Sequence, residues 1–232
     1  MAEFENAVVP VVLAAERQVA QLTNSYLTTM SNLGTGSNAR PAPLDTREVT
    51  GAALRNGVEP STVYRRPEST VNAALADGAS VTAAVTQGLN RALVMARSDL
   101  QLAKTHTVAR QGKSKWYRRS LTGAENCAMC VIASTQRYHR GDLMPIHGGC
   151  DCAVQEETSM DPGQIIDAEK LETVHAAIEA EFGGTDRGAR YLDGLNERSD
   201  YLDLIVTREH GELGPTLAWR DQHFTGPQRF VV

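Results

Sequence analysis

Aromatic side chains are scarce, 5% of 232 residues in a chain that is 41% hydrophobic. Packing must therefore lean on Ala, Leu and Val, which suits helices and counts against a β-sandwich. No apolar run approaches the length that spans a bilayer. The opening Met1-Ala-Glu-Phe-Glu is acidic where a secretory signal is basic, so synthesis in the cytosol and no membrane partner are expected. Internal repeats and low-complexity tracts are missing. So are the H-E-x-x-H of metalloproteases and the G-x-S-x-G elbow of serine hydrolases. Cysteine is absent from all but one stretch, which holds Cys127, Cys130, Cys150 and Cys152.

What remains is ordinary globular material, enough for one core or one core plus a small satellite. The net charge of -5 hides an asymmetry. Lys104, Arg110, Lys113, Lys115, Arg118 and Arg119 form a basic block without an acid among them, whereas acids dominate from Asp151 to Asp200. A basic block that also carries Trp116 and Tyr117 can follow a phosphate backbone while a ring stacks on a base. The plainer reading is a solvated linker beside the cysteine stretch.

Apolar residues Phe4, Val8, Val12, Ala15, Val19, Leu22, Tyr26 and Met30 recur at helical spacing and predict a long helix from about Glu3 to Met30. The run from Ser31 to Asn38, followed by Pro41 and Pro43, predicts a connector. Asp45 or Thr46 is placed to cap a short helix that stops at Asn56-Gly57, and Ser61 to cap a further turn. A second long helix is expected to end near Lys104, starting at Ser69 or Ser80 and carrying Val81, Val85, Leu89, Ala92, Ala96 and Leu100 on one face. The two long helices should pair antiparallel. A third helix is expected from Asp161 through Ile178. Tyr201–Thr207 and Pro215–Trp219 read as the strands of a hairpin, with Glu209 to Glu212 in a charged, solvated tip.

The fold class is thus mainly α with a small α+β C-terminal part: long helices, a zinc-stapled module and a terminal β-hairpin. Residues 1–105 form a helical interaction region, 106–160 the basic linker and Cys/His metal module, and 161–232 the helix and hairpin tail.

Cys127 and Cys130 stand at C-x2-C spacing, and His147, Cys150 and Cys152 follow about twenty residues later. A tight turn aims two thiolates at one ion, and a second pair of ligands closes a tetrahedron, so zinc is the expected metal. Five candidates compete for four places, with His147 and Cys152 rivals for the last. Thiolate-rich sites are closed, which points to a structural role in a stretch poor in apolar residues. Ser134, His139 and Asp142 supply the residue types of a hydrolytic triad at close sequence spacing, but nearness in sequence is not triad geometry and a polar loop inside the zinc module is the favoured reading. His106, His175, His210 and His223 are isolated and expected at the surface or at helix ends.

The order Arg118-Arg119, Thr122-Gly123-Ala124-Glu125-Asn126-Cys127-Ala128-Met129-Cys130, Tyr138, Gly141-Asp142 and Pro145-Ile146-His147-Gly148-Gly149-Cys150-Asp151-Cys152 resembles the phage Mu F-like minor head protein family. The resemblance covers about thirty-five residues. The tail from Arg208 to Pro215, with Phe224-Thr225-Gly226-Pro227, is similar to the ends of such proteins from phages of actinobacteria. Gly148 stands where the family usually has Pro, and Asp151 where it has Arg. The resemblance implies a minor capsid, head morphogenesis protein, oligomeric in the assembly. Its partners would be the phage portal protein, the major capsid or scaffold protein, and packaged phage DNA. It would reside in the virion, at the capsid interior or portal vertex, after assembly in the host cytoplasm. The same neighbourhood of genes suggests a capsid maturation protease as the alternative.

Overall fold

The computed structural model describes residues 2–121, 128–134, 137–140, 152–157, 176, 179, 205–210, 212–220 and 222–223. Of the third helix expected from Asp161 through Ile178, Ala176 is described, and helical, and the rest lies outside these residues. The described chain is mainly helical with a small antiparallel sheet part. It divides into two compact units, one built mainly from Met1–Lys113 with Gly211–Gly214, the other mainly from Ser114–His147, Asp151–His210 and Pro215–Val232. The boundary expected near residue 105 falls inside a helix.

The first unit opens with α1, Ala2–Thr35, which continues past the expected stop at Met30. It ends where Gly36 takes a left-handed φ of 66° and the Ser37 N–H reaches back to the Asn32 carbonyl at 3.1 Å. This closure satisfies a terminal helix carbonyl and needs a residue without a Cβ penalty. Two 3-10 turns follow, Thr46–Val49 and Gly51–Arg55. Asp45 caps the first as expected, accepting from the Arg47 N–H at 3.1 Å. Next come α2 (Pro60–Val63), with Glu59 rather than Ser61 at its N-cap, and α3 (Arg66–Ala76). The last helix, α4, spans Val81–Gln111 with Ser80 as its cap and runs well beyond Lys104.

Four side-chain links show how the chain returns from the end of α1. Asn32 donates to the Ala39 carbonyl at 2.8 Å and Asn24 to the Ala42 carbonyl at 2.8 Å. The Gly51 N–H donates to Glu16 at 2.7 Å, and Arg65 Nε donates to Glu5 at 2.7 Å. Numbers fall along α1 as they rise in the partner, so the segment walks back down the helix. Pro67 and Val71 then face Gly88 across an α3–α4 hairpin, and α4 climbs beside α1. Val12 packs with Met95, and Lys113 Nζ donates to Ser31 Oγ at 3.2 Å. The two long helices are therefore parallel, not antiparallel as expected. The intervening chain spends itself descending α1, so the next long helix must start at the end where α1 began.

Val12, Val63, Tyr64 and Met95 form the centre of this unit, with Val8, Val9, Val58 and Ala96 against it. Further along α1 the buried seam is Glu16, Ala20, Thr23, Asn24 and Leu27. Leu22, Tyr26 and Met30, read from sequence as part of the core face, are exposed. The polar residues won those positions because they bind the returning backbone.

In the second unit β1 (Trp116–Ser120) lies between β2 (Arg137–His139) and β3 (Ala153–Glu157), antiparallel to both. A short helix, α5 (Ala128–Ala133), precedes β2. β4 (Ile205–His210) and β5 (Gly214–Trp219) pair as the expected hairpin. The segment expected as a basic linker is instead the last turns of α4 and the strand β1.

A Cβ added at Gly88 would collide with Val71 and lie 3.0 Å from the Pro67 carbonyl oxygen. Alanine gains about 1 kcal/mol of helix propensity, but overpacking costs about 1–3 kcal/mol. Gly88→Ala should therefore lower stability by about 1 kcal/mol in urea unfolding. A gain in stability would show that the helix contact is slack.

Candidate metal centre and a buried charge network

In β1 burial alternates, so Tyr117 and Arg119 face inward while Trp116, Arg118 and Ser120 face the other way. Arg119 is 1% exposed. Its guanidinium lies over the Tyr138 ring, 5.8 Å from the centroid, and its Nη1 is 3.9 Å from Cys152 Sγ. Cys152 stands just before β3, whose Val154 pairs with Arg119. Cys130 is buried in α5. Tyr138 ties β2 to that helix by donating its hydroxyl to the Ala133 carbonyl at 3.1 Å. Burial pushes the Tyr138 hydroxyl up to about 12; Arg119 draws it down, and Cys152 and Cys130 both push it up. The two thiols thus share one buried neighbourhood around a single ring.

Cys127, His147 and Cys150 lie outside the described residues. Among the described residues no three His, Cys, Asp or Glu side chains gather as a metal site. Of the five candidate ligands Cys130 and Cys152 are described, with the Arg119 guanidinium beside the second.

The basic block is divided between the two units. Arg110 pairs with Glu48 at 2.7 Å. Lys104 and Lys113 belong with Arg110 to the first unit, while Lys115, Arg118 and Arg119 belong to the second. Lys115 Nζ sits over the Trp116 ring at 5.7 Å, and Arg118 approaches Gln155 at 3.4 Å and Glu157 at 3.8 Å. Arg119 is buried and cannot meet phosphate as expected. Strand alternation separates it from its neighbour Arg118. Trp116 packs edge-on against His139, centroids 5.5 Å apart. Ser134 is buried and gives its hydroxyl to the Val131 carbonyl at 2.7 Å; Asp142 lies outside the described residues.

Sequence reasoning missed a second cluster, in the helical unit. Arg55 is 6% exposed and its Nε meets Asp99 Oδ1 at 2.6 Å. Its Nη1 pairs with Glu212, which Arg66 grips through its other oxygen. Tyr64 donates to Asp99 Oδ2 at 2.7 Å. Burial opposes the charge on Arg55, yet Asp99 and Glu212 hold its pKa above the ordinary arginine value. Glu212 titrates below the usual carboxylate range, since Arg66 and Arg55 outweigh its burial. The charged hairpin tip expected in solvent is therefore, at Glu212, a buried ion-pair partner. His106, expected at the surface or a helix end, sits within α4, where burial and then Arg110 push its pKa down to about 4. The sequence signal for the cluster was slight: Arg55, Asp99 and Glu212 each stand next to a leucine.

Comparison with protein-family models, with curated proteins and with solved structures returns no match to this chain.

Glu16 is 2% exposed, and burial raises its pKa from 4.5 to about 7. The Gly51 N–H, Arg55 and Arg17 pull it down, and Asp99 pushes it up. Between those values the unfolded carboxyl has lost its proton while the folded one keeps it. Stability therefore falls as pH rises through this window, by about 3 kcal/mol at most. Glu16→Gln keeps an acceptor for Gly51. It should flatten the pH dependence of the melting temperature between pH 5 and 8 and raise stability at pH 8. An unchanged slope would place the titration elsewhere.

Proposed function

We propose that the chain is a minor capsid protein acting in head morphogenesis of a tailed phage, with a structural role at the portal and capsid interior. The observation that carries this reading is the order and spacing of the cysteine module, with Cys130 before the loop and Cys152 after it. That these two sit in one buried neighbourhood with Arg119 and Tyr138 supports it. A zinc staple would need thiols from both halves of the motif at one place. Cys130 and Cys152 would be completed by two of Cys127, His147 and Cys150. Bound zinc would supply folding free energy to a module with few apolar side chains.

The helical unit supports an assembly role in its own way. Its buried ion pairs fix the helices internally, while Leu22, Tyr26, Met30 and Leu33 on α1 remain exposed. Such apolar stripes mark surfaces that meet other proteins. The portal, the major capsid or scaffold protein and packaged DNA are the partners this reading implies. The exposed Lys115 and the half-buried Arg118 would give a salt-sensitive contribution.

Two measurements test the reading. The purified chain should carry about one equivalent of zinc by elemental mass spectrometry, and chelation should lower its melting temperature. Cys130→Ser and Cys152→Ser should each lose the metal; metal-free protein with the same melting temperature would remove the staple. Quantitative mass spectrometry of procapsids and mature virions should find the intact chain in both, at a fixed low ratio to the portal subunit. Loss or self-cleavage of the chain in virions would move the assignment to a maturation protease.

A further inference from the structure

The N-terminal half of α4 leaves a second apolar stripe open. Val81 is 69% exposed, Leu89 52% and Leu93 58%, with Val85 also exposed between them. These residues recur at the i, i+4 spacing of one helix ridge, and Ala92, half-buried, lies between Leu89 and Leu93. The adjoining side of the helix is closed: Ala84 and Gly88 are buried, Gly88 against Val71 and Pro67 of α3. The stripe is thus a surface beside a finished helix contact. It is not a piece of that unit's own core.

Charge says what covers it. From Val81 to Ala96 the helix carries one ionisable side chain, Arg91, and no acid. Arg97 lies one turn beyond Leu93, and Asp77 stands just before the Gly78-Ala79 turn that leads into the helix. Both are exposed, and among the described residues neither makes an ion pair. Opposite charges therefore bracket an apolar stripe, positive at its C-terminal end and negative at its N-terminal end. A surface with that pattern is complementary to itself when reversed. Two-fold pairing requires this, because residue i must meet j while j meets i.

We propose that this face of α4 is the contact between two copies of the chain, crossing antiparallel near Leu89. Leu89 then meets Leu89 of the second copy and Val85 meets Leu93. The stem of Arg97 lies along Val81, and its guanidinium reaches the turn holding Asp77. Both charged contacts occur twice by symmetry. A parallel pairing would set Arg97 against Arg97 and Asp77 against Asp77, so the ends dictate the direction as the stripe dictates the contact. The inference rests on the helical unit alone and does not depend on the zinc module or on the phage reading.

Sedimentation velocity of the full chain across a concentration series tests it. A concentration-dependent dimer is expected. Leu89→Glu puts two like charges together at the axis and should weaken the dimer by about 30-fold or more, the scale of a central interface residue. Arg97→Asp or Asp77→Arg alone should weaken it by about 3-fold, as exposed charge pairs do. The double exchange Asp77→Arg with Arg97→Asp should regain the loss. That rescue does not depend on how well Leu89→Glu folds, which a melting curve checks. A chain that stays monomeric at all concentrations overturns the proposal. So does a dimer insensitive to Leu89→Glu, or a double exchange no better than its singles. A monomer whose Leu89→Glu variant fails only to enter procapsids would assign the face to another capsid component and overturn it too.

Discussion

Arg55 is held almost wholly out of water, and a guanidinium there costs several kcal/mol unless anions meet it with good geometry. Asp99 and Glu212 meet it, Tyr64 satisfies the far oxygen of Asp99, and Arg66 satisfies the far oxygen of Glu212. Each group comes from a different segment: a 3-10 turn, α4, the residues after α2 and the start of α3, and residue 212 far along the chain. None can move without stranding a charge. The network therefore sets the height of α4 against the turn at Arg55, and with it the stagger between α4 and α1. Burial of Val12, Val63, Tyr64 and Met95 supplies the driving force; the ion pairs make one arrangement much better than its neighbours.

Legibility from sequence followed the range of the interaction that decided each feature. Asp45 was readable as a cap, and Ser80 as one of two starts for α4, because a helix start is settled within a few residues. Two strand-like runs around a turn-rich stretch were readable as a hairpin for the same reason. The phase of α1 was not, because Glu16 and Asn24 earn their burial from backbone groups at Gly51 and Ala42. In a helical wheel they look like ordinary polar residues beside an apolar stripe. The parallel run of α1 and α4 was hidden by the same links. Arg119 was illegible for another reason: adjacent arginines look alike in a sequence, and only a strand's alternation sends one in and one out.

For the candidate site, the cysteine pattern was the clearest signal in the chain, and two of its members meet in a common buried setting. The surroundings were not foreseen. A buried arginine stacked on a tyrosine and touching a cysteine gives the second unit a charged interior at the point where the motif's two halves converge. The proposed staple and the proposed helix face divide the labour between units. One would hold a module with few apolar side chains together, and the other would present a surface for association.

The parallel course of α1 and α4 has an electrical consequence. Aligned peptide dipoles give each helix a partial positive charge at its N-terminus and a partial negative one at its C-terminus. In the antiparallel pairs common to helical bundles these cancel at each end, but here they add. The two C-termini come together where Lys113 donates to Ser31, and Arg110 stands in the last turn of α4. At the other end of α1, Glu3 and Glu5 occupy the first turn. Part of the basic block is thus counter-charge for a pair of like-oriented helices, and the first unit carries a built-in polarity along its long axis.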